Sequence, residues 1–585
     1  MRARPIPHRL LALAAVAGLL ASSVMVTGAA AADPAKAQGP KPVFSSAVAF
    51  DVSPAMTDVA PGVARAMGGG PDREIRPDRG PVAPDKGHDP DGALQATGAA
   101  RIAAASIGAP LASFEGISNQ DNFNLFGFRV NPPDPMGDVG PNHYVEMINL
   151  AWAVYDKTGN LLLGPLPIGS VWEGFAVEDC TDPSGDPVVL YDQTTDRWLL
   201  SQFTTRGLDD PTLPFYDCVA ISMTGDPTGA YYRYAFITQP DTVDGGYFFP
   251  DYPKYGVWTD SYIMTTRDFG LIDQYGISVY ALEKNKMIAG NPNARAVQFF
   301  LDSAVVPLNL IGDGLLPPDI DGNRRPIGLA PAPIVGTQDD DYVYGATFDA
   351  LNIFELAVQW KARPEASLNL AAQLPVAEFD SSFPCAPTSR DCLPQPGITN
   401  PAQYVDILSY RQRPTWRLAY RNFGKYEALV TNQSVEALPG IAGVRWYEIR
   451  RTGGAYSLYQ QGTYAPDSVH RWMGSAAMDR QGNIALGYSV VDGVSVYPGI
   501  RYTARLAGDP LGQMTLGEGT IIDGTGVQTT TNSRWGDYSS LNVDPVDDCT
   551  FWYVNEYYTA AGQASSAAGW QTRIASFTLP GCSAR

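Results

Sequence analysis

A set of charged residues stands in turns that recur along this chain: Asp134, Asp138, Asp186, Asp251, Asp319, Asp321, Arg471, Arg534 and Asp537. Two carboxyl groups flanking a bond can act as general acid and base, and hydrolysis of a glycosidic bond asks for such a pair at roughly 5–9 Å. Asp251 and Asp537 are the candidate catalytic pair. Arginine holds a carboxylated or sulfated ligand through parallel hydrogen bonds. Arg471 and Arg534, with Asp138 and Asp186, are therefore candidate ligand-binding groups. Trp472 and Trp535 adjoin the two arginines and are candidate platforms for a stacked sugar ring. A plainer reading competes with each: Asp beside Gly or Pro bonds its own backbone in ordinary turns, and Arg-Trp pairs stack between structural elements.

Asp319-Ile320-Asp321-Gly322-Asn323 clusters hard oxygen ligands, which makes Asp319 and Asp321 candidate ligands of a structural Ca²⁺. Asp339-Asp340-Asp341 is a second acidic cluster, and neither has the distal Glu of an EF-hand loop. His143 and His470 are candidate general bases, although a lone turn histidine is more often a hydrogen-bonding group. The sequence carries no G-x-S-x-G elbow, Gly-rich phosphate loop or dinucleotide fingerprint.

The elements that must position these residues follow a block of roughly 60 residues repeated about seven times from Pro132 onward. The clearest copies open as His470-Arg471-Trp472-Met473-Gly474 and Ser533-Arg534-Trp535-Gly536-Asp537. Short apolar runs such as Tyr144–Ile148, Trp198–Phe203, Ile484–Tyr488 and Phe551–Val554 alternate with Gly, Pro, Asn and Asp clusters, the signature of strands and turns. Blocks begin near Asp134, Asp186, Asp251, Asp319, Asp406, Arg471 and Arg534. Four-stranded units repeated about an axis are β-propeller blades. The expectation is an all-β fold: a single β-propeller of seven four-stranded blades, with six as the alternative count. The last block offers three strands, so Ser113–Ile117, ahead of the first block, is expected to complete the last blade and close the ring. In a ring the recurring turns converge on one mouth of the central channel. The stretch Phe383–Pro396 reads as a surface loop.

Residues 1–32 have the basic, apolar and small-residue regions of a secretory signal peptide. Residues 33–112 are rich in Ala, Pro and Gly and read as a disordered leader, with the propeller domain over 113–585. Six cysteines fit an oxidising compartment, and local pairing gives Cys180–Cys218, Cys385–Cys392 and Cys549–Cys582 among the connectivities open to them. A net charge of −20 argues against a nucleic-acid partner. No stretch is apolar over the length of a membrane span.

The motifs Asp134-Pro135-Met136-Gly137-Asp138-Val139-Gly140-Pro141-Asn142, Gly185-Asp186-Pro187-Val188-Val189-Leu190-Tyr191-Asp192 and Arg534-Trp535-Gly536-Asp537-Tyr538 resemble those of secreted bacterial β-propeller proteins, broadly similar to sialidase-like propellers. The resemblance covers about Phe114 to Cys582. The S-x-D-x-G-x-T-W boxes of sialidases are missing, so their arginine triad maps onto no residues here. The expected protein is a secreted, extracellular monomer that binds or hydrolyses glycans at the channel mouth; the competing class is a non-enzymatic module for a cell-surface ligand.

Overall fold

The computed structural model describes residues 39–59, 72–74, 85–95, 106–240, 245–272, 274–327, 330–407 and 412–582. The expected signal peptide lies outside them. β-Branched and aromatic runs cut by tight polar turns fold as antiparallel meanders. Blade 1 runs through Met136–Val139, His143–Ile148, Ala151–Asp156 and Leu161–Pro167. Six further blades follow, with innermost strands Val188–Asp192, Phe249–Val257, Pro318–Asp321, Thr415–Asn422, His470–Met478 and Ser540–Val543. These strands touch their neighbours in chain order, and that of blade 7 touches that of blade 1, so the seven blades close into a ring.

Blade 4 is the irregular one. Its innermost strand, Pro318–Asp321, pairs in parallel with Thr415–Asn422 of blade 5, and only Leu316 bridges to Val335 of its own sheet. The insert ahead of blade 5 is not a surface loop. Phe383, Leu393, Val405 and Ile407 are buried against Trp472, Met473 and Trp535.

Ring closure follows the expectation. Ala112–Ser118 pairs antiparallel with Trp570–Phe577, setting Phe114 opposite Ile574 and Glu115 opposite Arg573. Strand alternation sorts the two faces: Phe114 packs on Tyr155 and Trp552, while Glu115 reaches Arg573 at 2.6 Å. All three cysteine pairs form as read, Cys549–Cys582 pinning the C-terminal tail to the last blade. The short helix Asn119–Phe126 then turns the chain into blade 1, capped by Ser118 and Asp121 in a reciprocal capping box.

The leader departs from the sequence-based expectation. Val43–Ser46 adds a fifth strand to blade 3 and Ala49–Val52 a fifth strand to blade 2. Residues 85–95 cross the rim further on. Lys86 binds Asp339 and Asp340 beside blade 4, Asp91 pairs with buried Arg445 of blade 5 at 2.8 Å, and Gln95 exchanges hydrogen bonds with Met514, between the last two strands of blade 6. Composition misled because this segment needs no core of its own. It covers exposed sheet edges, which an outer strand otherwise leaves unpaired.

At the seam, buried Glu146 of blade 1 accepts hydrogen bonds from Ile117 N at 2.8 Å and Thr572 Oγ1 at 2.5 Å, tying both strands of the closing pair to the next blade. Burial pushes its carboxyl from 4.5 up to about 7. A raised carboxyl favours the fold while protonated, so its contribution is full below pH 4.5 and is lost as pH rises through about 7. Glu146→Gln removes that ionisation. Between about pH 4 and pH 8 the variant should gain on the order of 3 kcal/mol of stability relative to wild type. Urea unfolding at a series of pH values checks this, and parallel profiles for the two proteins would refute it.

Candidate channel-mouth site

The turns into the innermost strands of blades 1, 2 and 3 repeat one backbone device. Asp134, Asp186 and Tyr252 take φ of 46°, 45° and 55°, and each precedes a proline. Left-handed backbone is unusual for non-glycine residues and costs of order 1–3 kcal/mol unless surroundings enforce it. Here hydrogen bonds do so. Asp537 N of blade 7 donates to Asp134 Oδ1 at 2.7 Å, and Asn149 Nδ2 donates to Asp134 Oδ2 at 2.8 Å. Asp186 N donates to Asn149 Oδ1 at 2.9 Å, and Tyr252 N to Asp186 Oδ2 at 3.0 Å. The Tyr252 hydroxyl donates to the Asp537 carbonyl at 3.4 Å, which completes a circuit over blades 7, 1, 2 and 3.

The mouth therefore gathers Asp134, Asp186, Asp251, Asp537 and Arg534, as the sequence predicts. It also gathers groups the sequence reading missed. Lys254 Nζ is buried between the rings of Tyr252 and Tyr538, at 3.5 and 3.8 Å from their centroids. A bulge between Asp251 and Lys254 swings it there. Arg267 lies cross-strand from Asp251, at 3.6 Å, and 2.7 Å from Asp313. Arg413 faces both Asp313 and the Tyr252 ring. The signal for Arg267 was present, since Thr265-Thr266-Arg267-Asp268 sets charge inside an apolar strand.

Burial dominates the electrostatics. It raises Asp134 to about 7, helped by the charge of Asp537, and raises Asp186 well above the carboxylate range, helped by Asp251 and Asp134. Glu556, whose Oε1 accepts from Gly536 N, is likewise held well up by burial. Burial lowers Lys254 to about 7 against the pull of Asp186. Asp251 is the more open group, keeping 17% of its side-chain surface, whereas Asp186 and Asp537 are each 7% exposed and Asp134 1%.

Other expected groups have different roles. Trp472 and Trp535 are fully buried, their ring centroids 5.1 Å apart, so neither offers a face to a sugar. Arg471 is bound by Asp467 at 2.8 Å and by Glu518 of the outermost strand of blade 6 at 2.7 Å, which fixes it within its own blade. Arg534 pairs with Asp537 at 2.9 Å. His470 accepts from Ala442 N through Nδ1, and burial holds it down to about 4, which leaves it neutral but too weak a base to hold a proton near neutrality. Burial lowers His143 as well.

Further down the channel, Asp138 accepts from Tyr191 N at 2.7 Å and Asp319 from Val257 N at 3.0 Å, each an interblade bond. Asp319 and Asp321 both bind the buried Arg417 guanidinium at 2.8 Å, so an arginine takes the place expected for Ca²⁺ at this pair.

No protein-family model matches this chain, and no curated protein is significantly similar to it. Among solved structures it is similar to the phage phi92 endosialidase, at 7% identity over 67% of this chain and 66% of that one, with a TM-score of 0.36. It is similar to a Dyadobacter fermentans protein of unknown function at 10% identity, covering 80% and 98% of the two chains, with a TM-score of 0.34. A Penicillium chrysogenum α-L-arabinanase aligns at 10% identity over 68% and 94%, with a TM-score of 0.31. At these values the likeness carries nothing about activity.

The Arg417 assignment has a direct consequence. Arg417→Met leaves two buried carboxylates unpaired and should cost about 3–5 kcal/mol of stability. Guanidinium unfolding measures it; a loss within experimental error would mean that something other than Arg417 balances Asp319 and Asp321.

Proposed function

We propose that the chain is an exported, glycan-directed β-propeller that works at this mouth, with Asp251 and Asp537 as the acid–base pair of a glycoside hydrolase. One observation carries the reading: Asp251, the most exposed carboxyl group at the mouth with 17% of its side-chain surface open, and Asp537 each stand against an arginine, Arg267 and Arg534. Arg267 stands beside Asp251 and Arg534 beside Asp537, and hydrolysis asks for one of the two carboxyl groups protonated as the acid and the other ionised as the base. Ionised carboxylates accept hydrogen bonds from sugar hydroxyls. Because Arg471 and Arg534 are already paired, a neutral saccharide suits the mouth better than a carboxylated or sulfated one. Export is supported by the layout of residues 1–32 and by three disulfides.

A second reading, a binding module without turnover, is favoured by a different observation. Asp134 and Asp186 spend their oxygens on backbone amides of neighbouring blades, which is a structural duty.

A screen of the mature chain against neutral oligosaccharide panels separates the two. The hydrolase reading expects reducing ends to appear, with kcat falling about 10²–10⁴-fold in Asp251→Asn and Asp537→Asn and melting temperatures close to wild type. Binding without turnover selects the second reading. Turnover unchanged in both variants removes the proposed site, and neither binding nor turnover across the panel removes the glycan reading altogether.

A further inference from the structure

Where the leader crosses between blades 4 and 5, two acidic clusters lie side by side, and they differ in one respect. In the first, of Asp339, Asp340 and Asp349, the protein itself supplies a cation to two members: Lys86 Nζ is 2.6 Å from Asp339 and 2.7 Å from Asp340. In the second, Asp85 of the leader, Asp380 of the segment entering blade 5, and Glu436 of blade 5 each place a carboxylate oxygen within 4.8 Å of the other two. Asp380 is 0% exposed and Glu436 3%.

Each of these two buried carboxylates is satisfied on one side only. Asp380 Oδ1 accepts from Ser382 N at 2.9 Å and Ser382 Oγ at 2.5 Å, and Glu436 Oε1 from Gly440 N at 2.6 Å. Asp380 Oδ2 and Glu436 Oε2 are buried and accept no hydrogen bond from the described residues. His88 Nδ1 stands 3.8 Å from Glu436 Oε2, beyond hydrogen-bond reach though near enough to act as a charge, and is a buried atom with no hydrogen-bond partner among the described residues. Lys86 Nζ makes its hydrogen bonds to Asp339 and Asp340 and acts on Asp380 only as a neighbouring charge. Burial raises the Asp380 carboxyl to about 7 and lifts Glu436, with Asp85 adding repulsion. Leaving ionised oxygens buried and unpaired costs several kcal/mol, and buried polar atoms without partners are rare enough to need a cause.

We infer that Asp85, Asp380 and Glu436 form a Ca²⁺ site that fastens the leader to blade 5. Three carboxylate oxygens from three separate chain segments are hard ligands of the kind Ca²⁺ takes, with backbone carbonyls and water completing a flexible shell. The site is separate from the channel mouth and from the Asp319–Asp321 pair that Arg417 occupies. It does for Asp380 and Glu436 what Lys86 does for Asp339 and Asp340.

The test uses the full mature chain, stripped with chelator, desalted and titrated with CaCl₂ by calorimetry. One Ca²⁺ should bind per chain and raise the melting temperature, since a ligand of the folded state stabilises by mass action. Asp380→Asn and Glu436→Gln should each weaken binding by at least about tenfold. Asp85→Asn is the variant least able to disturb folding, because its side chain is exposed, and it should weaken binding too. Asp340→Asn, in the lysine-filled cluster, should leave the affinity unchanged. No Ca²⁺ binding at millimolar concentration overturns the inference, as does binding that survives Asp85→Asn and Asp380→Asn with full affinity.

Discussion

In blades 1, 2, 3, 6 and 7 no strand covers the inner edge of the innermost strand. That strand pairs outward with the next strand of its blade, and its other side faces the axis and the neighbouring blade. A buried backbone amide left without an acceptor costs about 1–3 kcal/mol, so every such amide must find a side chain. The protein answers with short polar residues on adjacent blades. Asp134, Asp186, Asp138 and Asp319 receive amides from across the blade boundary. Ser434 and Ser475 do the same for Met473 and Leu541. The prolines after Asp134, Asp186 and Tyr252 act in the same direction, since a proline has no donor to satisfy.

This requirement explains why the centre of the molecule is so acidic. Carboxylates are strong acceptors, and at the axis they are also buried, which lifts Asp134 to about 7 and Asp138 to about 8. Shifted carboxyls at a channel mouth are often read as catalytic. Here most of the shift comes from a structural duty, and the distinction lies in which oxygens are already spoken for. The outside of the ring is bound differently. The closing strand joins blade 7 to its neighbour through Glu146, and the leader adds strands to blades 2 and 3 before crossing blades 4, 5 and 6. Clips at the axis and a strap at the rim together hold a ring whose blades share few backbone ladders.

Period and turn chemistry are local properties, so the blade count, the closing strand and the three disulfides could be read from the sequence. Where a side chain points once a strand bulges is not local. Trp472 precedes a bulge at Met473 and Gly474 and turns into the core with Trp535, beneath an insert that the sequence presents as a loop. Arg417 could not be matched to Asp319 and Asp321 in advance, because the parallel contact that brings them together joins segments about a hundred residues apart. The leader failed for another reason. Composition measures whether a segment can bury a core of its own, whereas Phe50 and Asp91 bury themselves in blades already built.

The pattern at the axis also singles out one carboxylate. In blades 1 and 2 the left-handed residue before proline is an aspartate, and its side chain is the clip. In blade 3 that position is Tyr252, and the aspartate stands one residue earlier, at Asp251. The displacement takes Asp251 off the clip position and sets it across the strand pair from Arg267, with its carboxylate partly in solvent. Tyr252 keeps the circuit intact by donating its own amide to Asp186 and its hydroxyl to Asp537. A one-residue shift in a repeated turn thus sets an acidic group beside Arg267 and leaves the circuit closed. Asp537 reaches a similar position by another route: its amide serves Asp134 while its carboxylate faces Arg534. Both side chains therefore face an arginine of their own blade, a rigid neighbour of the kind a chemical group at this mouth needs.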